Sequence, residues 1–233
     1  VVALDTRGYG LSSKPSRIAD YTLQVLARDI ADIIEQLGYK SCILVGHDFG
    51  GAISWITASL FPHLIEKLII MNCPHPQTFQ SDMTLAQLKR SWYMFYHQCP
   101  MLPELIIQSD DFGLFKRAFL NPPMGLVNTN NMDEKDIEVF KYTFAQKGTP
   151  KAALNYYRAM FRYQPDQLFS VAVPALLLWG TKDGAIGEEL CHATTKYCSN
   201  LKIKKLPDAS HWVQQDQPAE INKYMEAFLN EHT

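Results

Sequence analysis

Three short apolar runs, residues 41–45, 67–72 and 175–179, constrain the fold more than any other feature. Each is strand length, and none shows the polar alternation of a half-exposed strand. Continuous strands of this kind belong to a mostly parallel sheet with helices on both faces. The intervening sequence supplies helices. In residues 22–37, Leu26, Ile30, Ile33, Ile34 and Leu37 recur at helical period, and Gly38 is a natural stop. Residues 52–60 read as a second helix, ended by Pro62. Residues 219–229 read as a last one, started by Pro218, with Ile221, Tyr224, Met225, Phe228 and Leu229 on one face. Residues 201–206 are a weaker strand with exposed lysines, and residues 1–4 a further short strand.

The middle breaks the rhythm. Residues 77–165 contain no convincing buried strand, only helical patterns separated by Pro and Gly. Residues 91–163 hold more than half of the aromatic side chains. Two readings fit: an ordinary helical core, or a helical cap inserted between two strands with aromatics lining a pocket. The expected organisation is an α/β core from residues 1–76 and 166–233, with a cap over 77–165. No basic block stands out and the net charge is −2, which argues against a nucleic-acid surface. No apolar run approaches the ~18 residues of a membrane span. The five cysteines form no CxxC and no glycosylation sequon occurs, which fits a reduced compartment. The chain opens Val1-Val2-Ala3-Leu4-Asp5, with neither methionine nor a signal-like segment, and is expected to be a piece of a longer protein.

Gly46-His47-Asp48-Phe49-Gly50-Gly51 lies between an apolar strand and a helix. It has the G-x-nucleophile-x-G arrangement of a sharp elbow, with aspartate where serine usually stands. Small residues two before and two after permit the turn, and the following helix N-terminus favours negative charge. Asp48 as a plain helix N-cap is the competing reading. A carboxylate nucleophile attacks an sp3 carbon and forms an ester, which a base-activated water must then hydrolyse. Asp183, in Trp179-Gly180-Thr181-Lys182-Asp183, follows a buried strand. His211, in Asp208-Ala209-Ser210-His211-Trp212, lies between the last strand and the last helix. The order nucleophile, acid, histidine is that of a hydrolase triad. His47 is expected to shape the elbow, and His63, His75, His97, His192 and His232 to be structural or exposed.

These motifs, with Arg7-Gly8-Tyr9-Gly10-Leu11-Ser12 and Asn72-Cys73-Pro74-His75-Pro76, resemble the epoxide hydrolases of the α/β-hydrolase fold, closest to the epoxide hydrolase 3 and 4 branch. The resemblance covers essentially the whole chain. It implies that two cap tyrosines serve as acid for the departing alkoxide, and Tyr93 and Tyr157 match those positions, with Tyr96 and Tyr156 assigned to packing. It also implies that the Phe49 N–H is an oxyanion donor. No cofactor, metal or protein partner is implied, only a small lipophilic epoxide and water.

By the same resemblance, three strands, a helix and a His-Gly-x-Pro loop belong before residue 1. A membrane anchor directed to the endoplasmic reticulum would also lie there. Residues 1–4 and 41–45 are then the fourth and fifth strands, both without a central neighbour, and residues 1–4 are expected to be poorly anchored or to pair out of their family position. Loss of the loop's N–H donor would slow ester hydrolysis more than alkylation. A haloalkane dehalogenase and a non-catalytic relative remain open as alternatives.

Overall fold

The computed structural model describes residues 1–163 and 170–231. The expected boundary at 165/166 and His232 lie outside them. After a looped start and a short 3-10 turn at Ile18–Tyr21, helix α1 runs over Leu23–Gln36. Its cap is Thr22, whose hydroxyl accepts the Val25 N–H. Strand β1 (Cys42–His47), helix α2 (Phe49–Leu60) and strand β2 (Ile65–Met71) follow.

Seven helices then come in succession. They are α3 (Thr78–Ser81), α4 (Leu85–Arg90), α5 (Trp92–Tyr96), α6 (Leu102–Gln108), α7 (Leu114–Leu120), α8 (Glu134–Ala145) and α9 (Thr149–Arg162). No strand occurs among the described residues of 77–165. Strand β3 (Ala175–Gly180), helix α10 (Glu188–Ala193), strand β4 (Leu201–Leu206) and helices α11 (Val213–Asp216) and α12 (Pro218–Leu229) complete the chain.

The four strands are all parallel, in the order β1-β2-β3-β4. Alternate residues of the two central strands enter different layers, as the period of two requires. Leu68, Ile70, Leu177 and Trp179 join the cluster that α1 and α2 cover. Ile69, Met71, Leu176 and Leu178 join the one that α12 covers through Ile221 and Phe228. Lys67, within β2, turns its ammonium to the C-terminal end of α12. There it donates to the carbonyls of Phe228 (3.0 Å), Leu229 (2.9 Å) and Glu231 (2.7 Å), where the helix dipole favours a cation.

The two strands expected to lack a neighbour differ from their reading as ordinary buried strands. Residues 1–4 form no strand and enter no ladder, in line with the poor anchoring expected of them. Their side chains are exposed, and the chain is held only from Asp5 onward, where Ser12 donates to the Asp5 carbonyl. The run at β1 is not buried on both faces, since Ile43 and Val45 are largely exposed. Among the described residues β1 is an edge strand of this sheet, with no partner on the side away from β2.

Candidate active site

All the triad candidates follow directly from strand ends at one edge of the sheet. Asp48 comes immediately after β1, Asp183 three residues after β3 and His211 five residues after β4. Parallel strands deliver their C-terminal ends to the same edge, so residues distant in sequence meet there.

Asp48 has φ 50° and ψ −123°, a conformation that aspartate rarely adopts. The helix starts at Phe49, three residues before the sequence suggests, because the elbow turns strand into helix across one residue. The Asp48 carbonyl accepts the Ala52 N–H at 3.0 Å, while its side chain makes no cap hydrogen bond. The N-cap reading of its carboxylate therefore fails. The tightness of the turn falls on Gly46. A Cβ there would stand 2.4 Å from the Gly50 carbonyl oxygen, whereas a Cβ on Gly50 would meet nothing. Only the first of the two expected small positions is sterically required.

His211 Nε2 lies 3.5 Å from Asp48 Oδ1, and its Nδ1 lies 2.8 Å from Asp183 Oδ2. Asp183 is fixed in turn. Its Oδ1 accepts the N–H groups of Ala185 (2.7 Å) and Ile186 (2.9 Å), and its Oδ2 accepts from Asn72 Nδ2 at 2.7 Å. Asn72 itself sits at φ 40° just beyond β2 and accepts the Gly180 N–H at 2.8 Å. The sequence reading quoted Asn72 inside a motif and gave it no role. Its place after an apolar strand was the available signal. The histidine loop is also pinned by Asp216, which accepts from the Ser210 N–H (2.7 Å) and from the Asn128 N–H (2.9 Å). Gly180 lets this loop pass, since a Cβ there would come within 2.3 Å of the Ser210 carbonyl oxygen.

Burial would raise the Asp48 pKa. The hydrogen bond and charge of His211, with His47 and the Phe49 N–H, outweigh it and hold the carboxyl at about 2. Burial would likewise lower His211, but Asp183 and Asp48 on its two sides raise it to about 10. Burial also opposes ionisation of Asp183, yet His211 and Asn72 keep it below the usual carboxylate range. His47 does more than shape the elbow. Its Nε2 lies 2.8 Å from the His211 carbonyl oxygen, and burial, then the neighbouring His211, holds it neutral, with a pKa of about 4. A neutral ring can donate that hydrogen bond and tie β1 to the histidine loop.

Tyr93 on α5 and Tyr157 on α9 meet edge to face at 6.0 Å, and Tyr157 packs on Phe49 at 4.7 Å. Burial raises both phenols, and the charge of Asp48 raises both further. Neither phenol oxygen has a hydrogen-bond partner among the described residues. Tyr156 differs. It is buried, and its hydroxyl donates to the Arg7 carbonyl at 2.5 Å. Its hydroxyl is thereby committed to the backbone. Tyr96 packs beside Trp92 and His97. His97 is also more than a surface residue. Its ring lies 4.5 Å from Tyr157 and 5.7 Å from Tyr93.

The relation of α9 to α5 depends on Arg158. It pairs with Glu104 at 2.6 Å and donates to the carbonyls of His97 (3.1 Å) and Cys99 (2.8 Å). Tyr9 was also missed. Burial, then Tyr156 and Asp48, raises its phenol. Its motif was visible, but its approach to Asp48 was not. Among the described residues, no His, Cys, Asp and Glu cluster could hold a metal ion, and no helix is long and apolar enough to cross a membrane.

The family profile described as the alpha/beta hydrolase fold matches residues 1–218. The chain is 39% identical to epoxide hydrolase 4 of Homo sapiens over 237 residues, covering 100% of this chain and 66% of the human protein. It is 38% identical to epoxide hydrolase 1 of Caenorhabditis elegans, covering 99% of this chain and 58% of that protein. The chain thus spans less than two thirds of these curated relatives. Among solved structures, an epoxide hydrolase from Bacillus megaterium in complex with an inhibitor superposes with a TM-score of 0.85 at 31% identity. That match covers 97% of this chain and 82% of the bacterial one. With the elbow, the triad order and the parallel sheet already in place, the chain belongs to the α/β-hydrolase fold family, alongside its epoxide hydrolases.

Proposed function

We propose that this protein opens a small lipophilic epoxide to a vicinal diol through an ester on Asp48, with residues 77–165 acting as a cap over the site. The observation that carries this reading is His211 held between Asp48 and Asp183, with two unpartnered phenols nearby. In the first half-reaction an Asp48 oxygen bonds to an epoxide carbon as that carbon's bond to the ring oxygen breaks. The ring oxygen takes a proton from Tyr93 or Tyr157. A neutral phenol suits this task, because it donates where charge develops.

In the second half-reaction, water gives a proton to His211 Nε2 and its oxygen attacks the Asp48 carboxyl carbon. The Phe49 N–H meets the oxyanion. Collapse breaks the ester, the departing alkoxide takes the remaining proton of the added water and leaves as the diol, and the Asp48 carboxylate and the His211 imidazolium are restored.

The electrostatics favour that order. Before reaction, Asp48 is ionised and His211 carries a proton between two carboxylates. Esterification removes the Asp48 charge and its hydrogen bond to His211. The imidazolium then loses one of its two stabilising partners, its pKa falls, and it gives up a proton that replaces the one lost by the phenol, leaving Nε2 free to accept from water at the stage that needs an acceptor.

The indoles argue against halide binding. Trp55 Nε1 donates to the Cys73 carbonyl (3.1 Å) and Trp212 Nε1 to the Ala118 carbonyl (3.2 Å). Trp179 is sealed in the core and Trp92 lies on the outer surface. Two of the four ring N–H groups are thus committed to carbonyls and a third lies outward, while that of Trp179 is buried without a partner among the described residues. The test is turnover of a styrene-oxide-type epoxide against a haloalkane, with intact mass spectrometry of the protein. Diol formation with a substrate-sized adduct on Asp48 is expected. Halide release without epoxide turnover would overturn the reading.

A further inference from the structure

Helices α4 and α5 turn an apolar side outward. Leu85 and Leu88 are three residues apart on α4, and Trp92 and Phe95 three apart on α5, so each pair shares a helix face. All four are exposed, Leu85 at 79% and Trp92 at 66%, while Gln87 and Met94 on the same helices are buried. Phe95 packs edge-on against Phe161 of α9, with ring centroids 5.1 Å apart. The end of α9 therefore joins the same surface.

An apolar cavity of about 290 Å3 opens within this face. Met83, Leu88, Phe95, Phe161 and Tyr163 line it and are themselves exposed, so its mouth is apolar too. Asp48, His211, Tyr93 and Tyr157 do not line it. The two phenols sit on the same helices, α5 and α9, and approach Asp48 instead. The cavity is thus separate from the site described above.

Soluble monomers rarely leave a contiguous apolar patch of this kind bare. Among the described residues the unpaired charge beside it is basic. Lys89, next to Leu88, and Arg162, next to Phe161, are exposed and have no ion-pair partner among the described residues. The nearby acids are neutralised: Asp82 by Lys196 and Glu189 by Arg90. An outward apolar face with an edge tryptophan and flanking unpaired cations is the pattern of a segment lying in a lipid–water interface. A lipid surface supplies both complements, anionic headgroups and hydrocarbon.

We propose that the α4–α5 face docks on a lipid surface and that its cavity takes up a single hydrocarbon chain from it. The docking stands independently of the reaction assigned above. Docked this way, the cavity mouth faces the hydrocarbon, and a chain enters without crossing water.

The test is flotation of the 233-residue chain with phosphatidylcholine vesicles, with and without a phosphatidylserine fraction. The parent chain is expected to float with both, more strongly with the anionic set. Vesicles with brominated acyl chains are expected to quench tryptophan fluorescence. Leu85→Ser with Trp92→Ser, both at strongly exposed positions, should lower the vesicle partition coefficient at least roughly tenfold, from the lost apolar burial. The same variant should keep its turnover of a water-soluble epoxide. Lys89→Glu should weaken binding to the anionic vesicles by roughly fivefold and leave neutral ones unchanged. A parent chain that stays soluble with both vesicles would overturn the proposal, as would a double variant that floats equally well. A dimer in light scattering that the double variant abolishes, without vesicle binding, would assign the face to a second copy instead.

Discussion

His211 and Asp48 form an ion pair across 3.5 Å, while the other imidazole nitrogen is held by Asp183 at 2.8 Å. The histidine is therefore shared by two carboxylates of different standing. Asp183 is sealed and hydrogen-bonded on both oxygens, whereas the Asp48 side chain is 41% exposed and free to react. In the proposed reaction one carboxylate stays charged and the other loses its charge.

Removing the base should separate the two half-reactions. His211→Gln is expected to leave alkylation of Asp48 measurable and to slow ester hydrolysis by roughly 10²–10⁴. Asp183→Asn should act in the same direction, since the imidazole loses its fixed partner. Intact mass spectrometry after mixing with epoxide would show the adduct persisting in both variants. Equal loss of both steps would contradict the assigned roles.

The same division should appear with pH. Asp48, at about 2, stays ionised through mild acid, so alkylation continues there. Ester hydrolysis needs a neutral His211, so it slows as pH falls. The alkyl-enzyme is therefore expected to build up at about pH 5 relative to about pH 8. Rapid-quench measurement of the adduct fraction would check this.

Stability should carry the opposite signature. The folded His211 pKa, about 10, lies above its ordinary 6.5. Its stabilisation is full below 6.5 and is lost as pH rises toward 10. Urea titrations between those limits are expected to show the parent losing stability with pH. His211→Gln should lose less.

Tyr157 and Tyr156 provide a contrast within one helix, and Tyr93 on α5 pairs with the first of them. Tyr93→Phe and Tyr157→Phe are each expected to slow alkylation by roughly 10–10³, because a donor to the departing oxygen is lost. Tyr156→Phe should instead cost about 1 kcal/mol of stability through the lost bond to Arg7, with alkylation little changed. Single-turnover kinetics and denaturant melts on the three variants distinguish these outcomes.

Glycine substitutions test the elbow. Gly46→Ala places a Cβ against backbone 2.4 Å away and is expected to destabilise by about 1–3 kcal/mol. Gly50→Ala meets nothing and should stay within about 0.5 kcal/mol of the parent. A similar loss in both would show that the turn, rather than space at Gly46, sets the requirement.

The sequence by itself determined the local structure and which residue types stand at the strand ends. Period and turn residues placed α1, β2, β3, β4 and α12 to within one or two residues, because each is decided by neighbours along the chain. The elbow and the order Asp48, Asp183, His211 were legible for the same reason, since G-x-D-x-G is a local backbone requirement. Tertiary structure decided what depends on contacts across the fold. Asn72 became a support for Asp183 only because β2 and β3 are adjacent, and Asp216 a clamp only because α11 folds back under the histidine loop. Tyr157 and Tyr156 are neighbours in sequence, and helical geometry turns them about 100° apart. One meets Phe49 and Tyr93, and the other meets Arg7. Periodicity alone could not rank them, because which face of α9 looks toward Asp48 is set by the Arg158–Glu104 pair and the packing around it. The His211 ring, held by a carboxylate at each nitrogen, is the furthest of all from the sequence. That arrangement exists only where three strand ends bring two carboxylates to one ring.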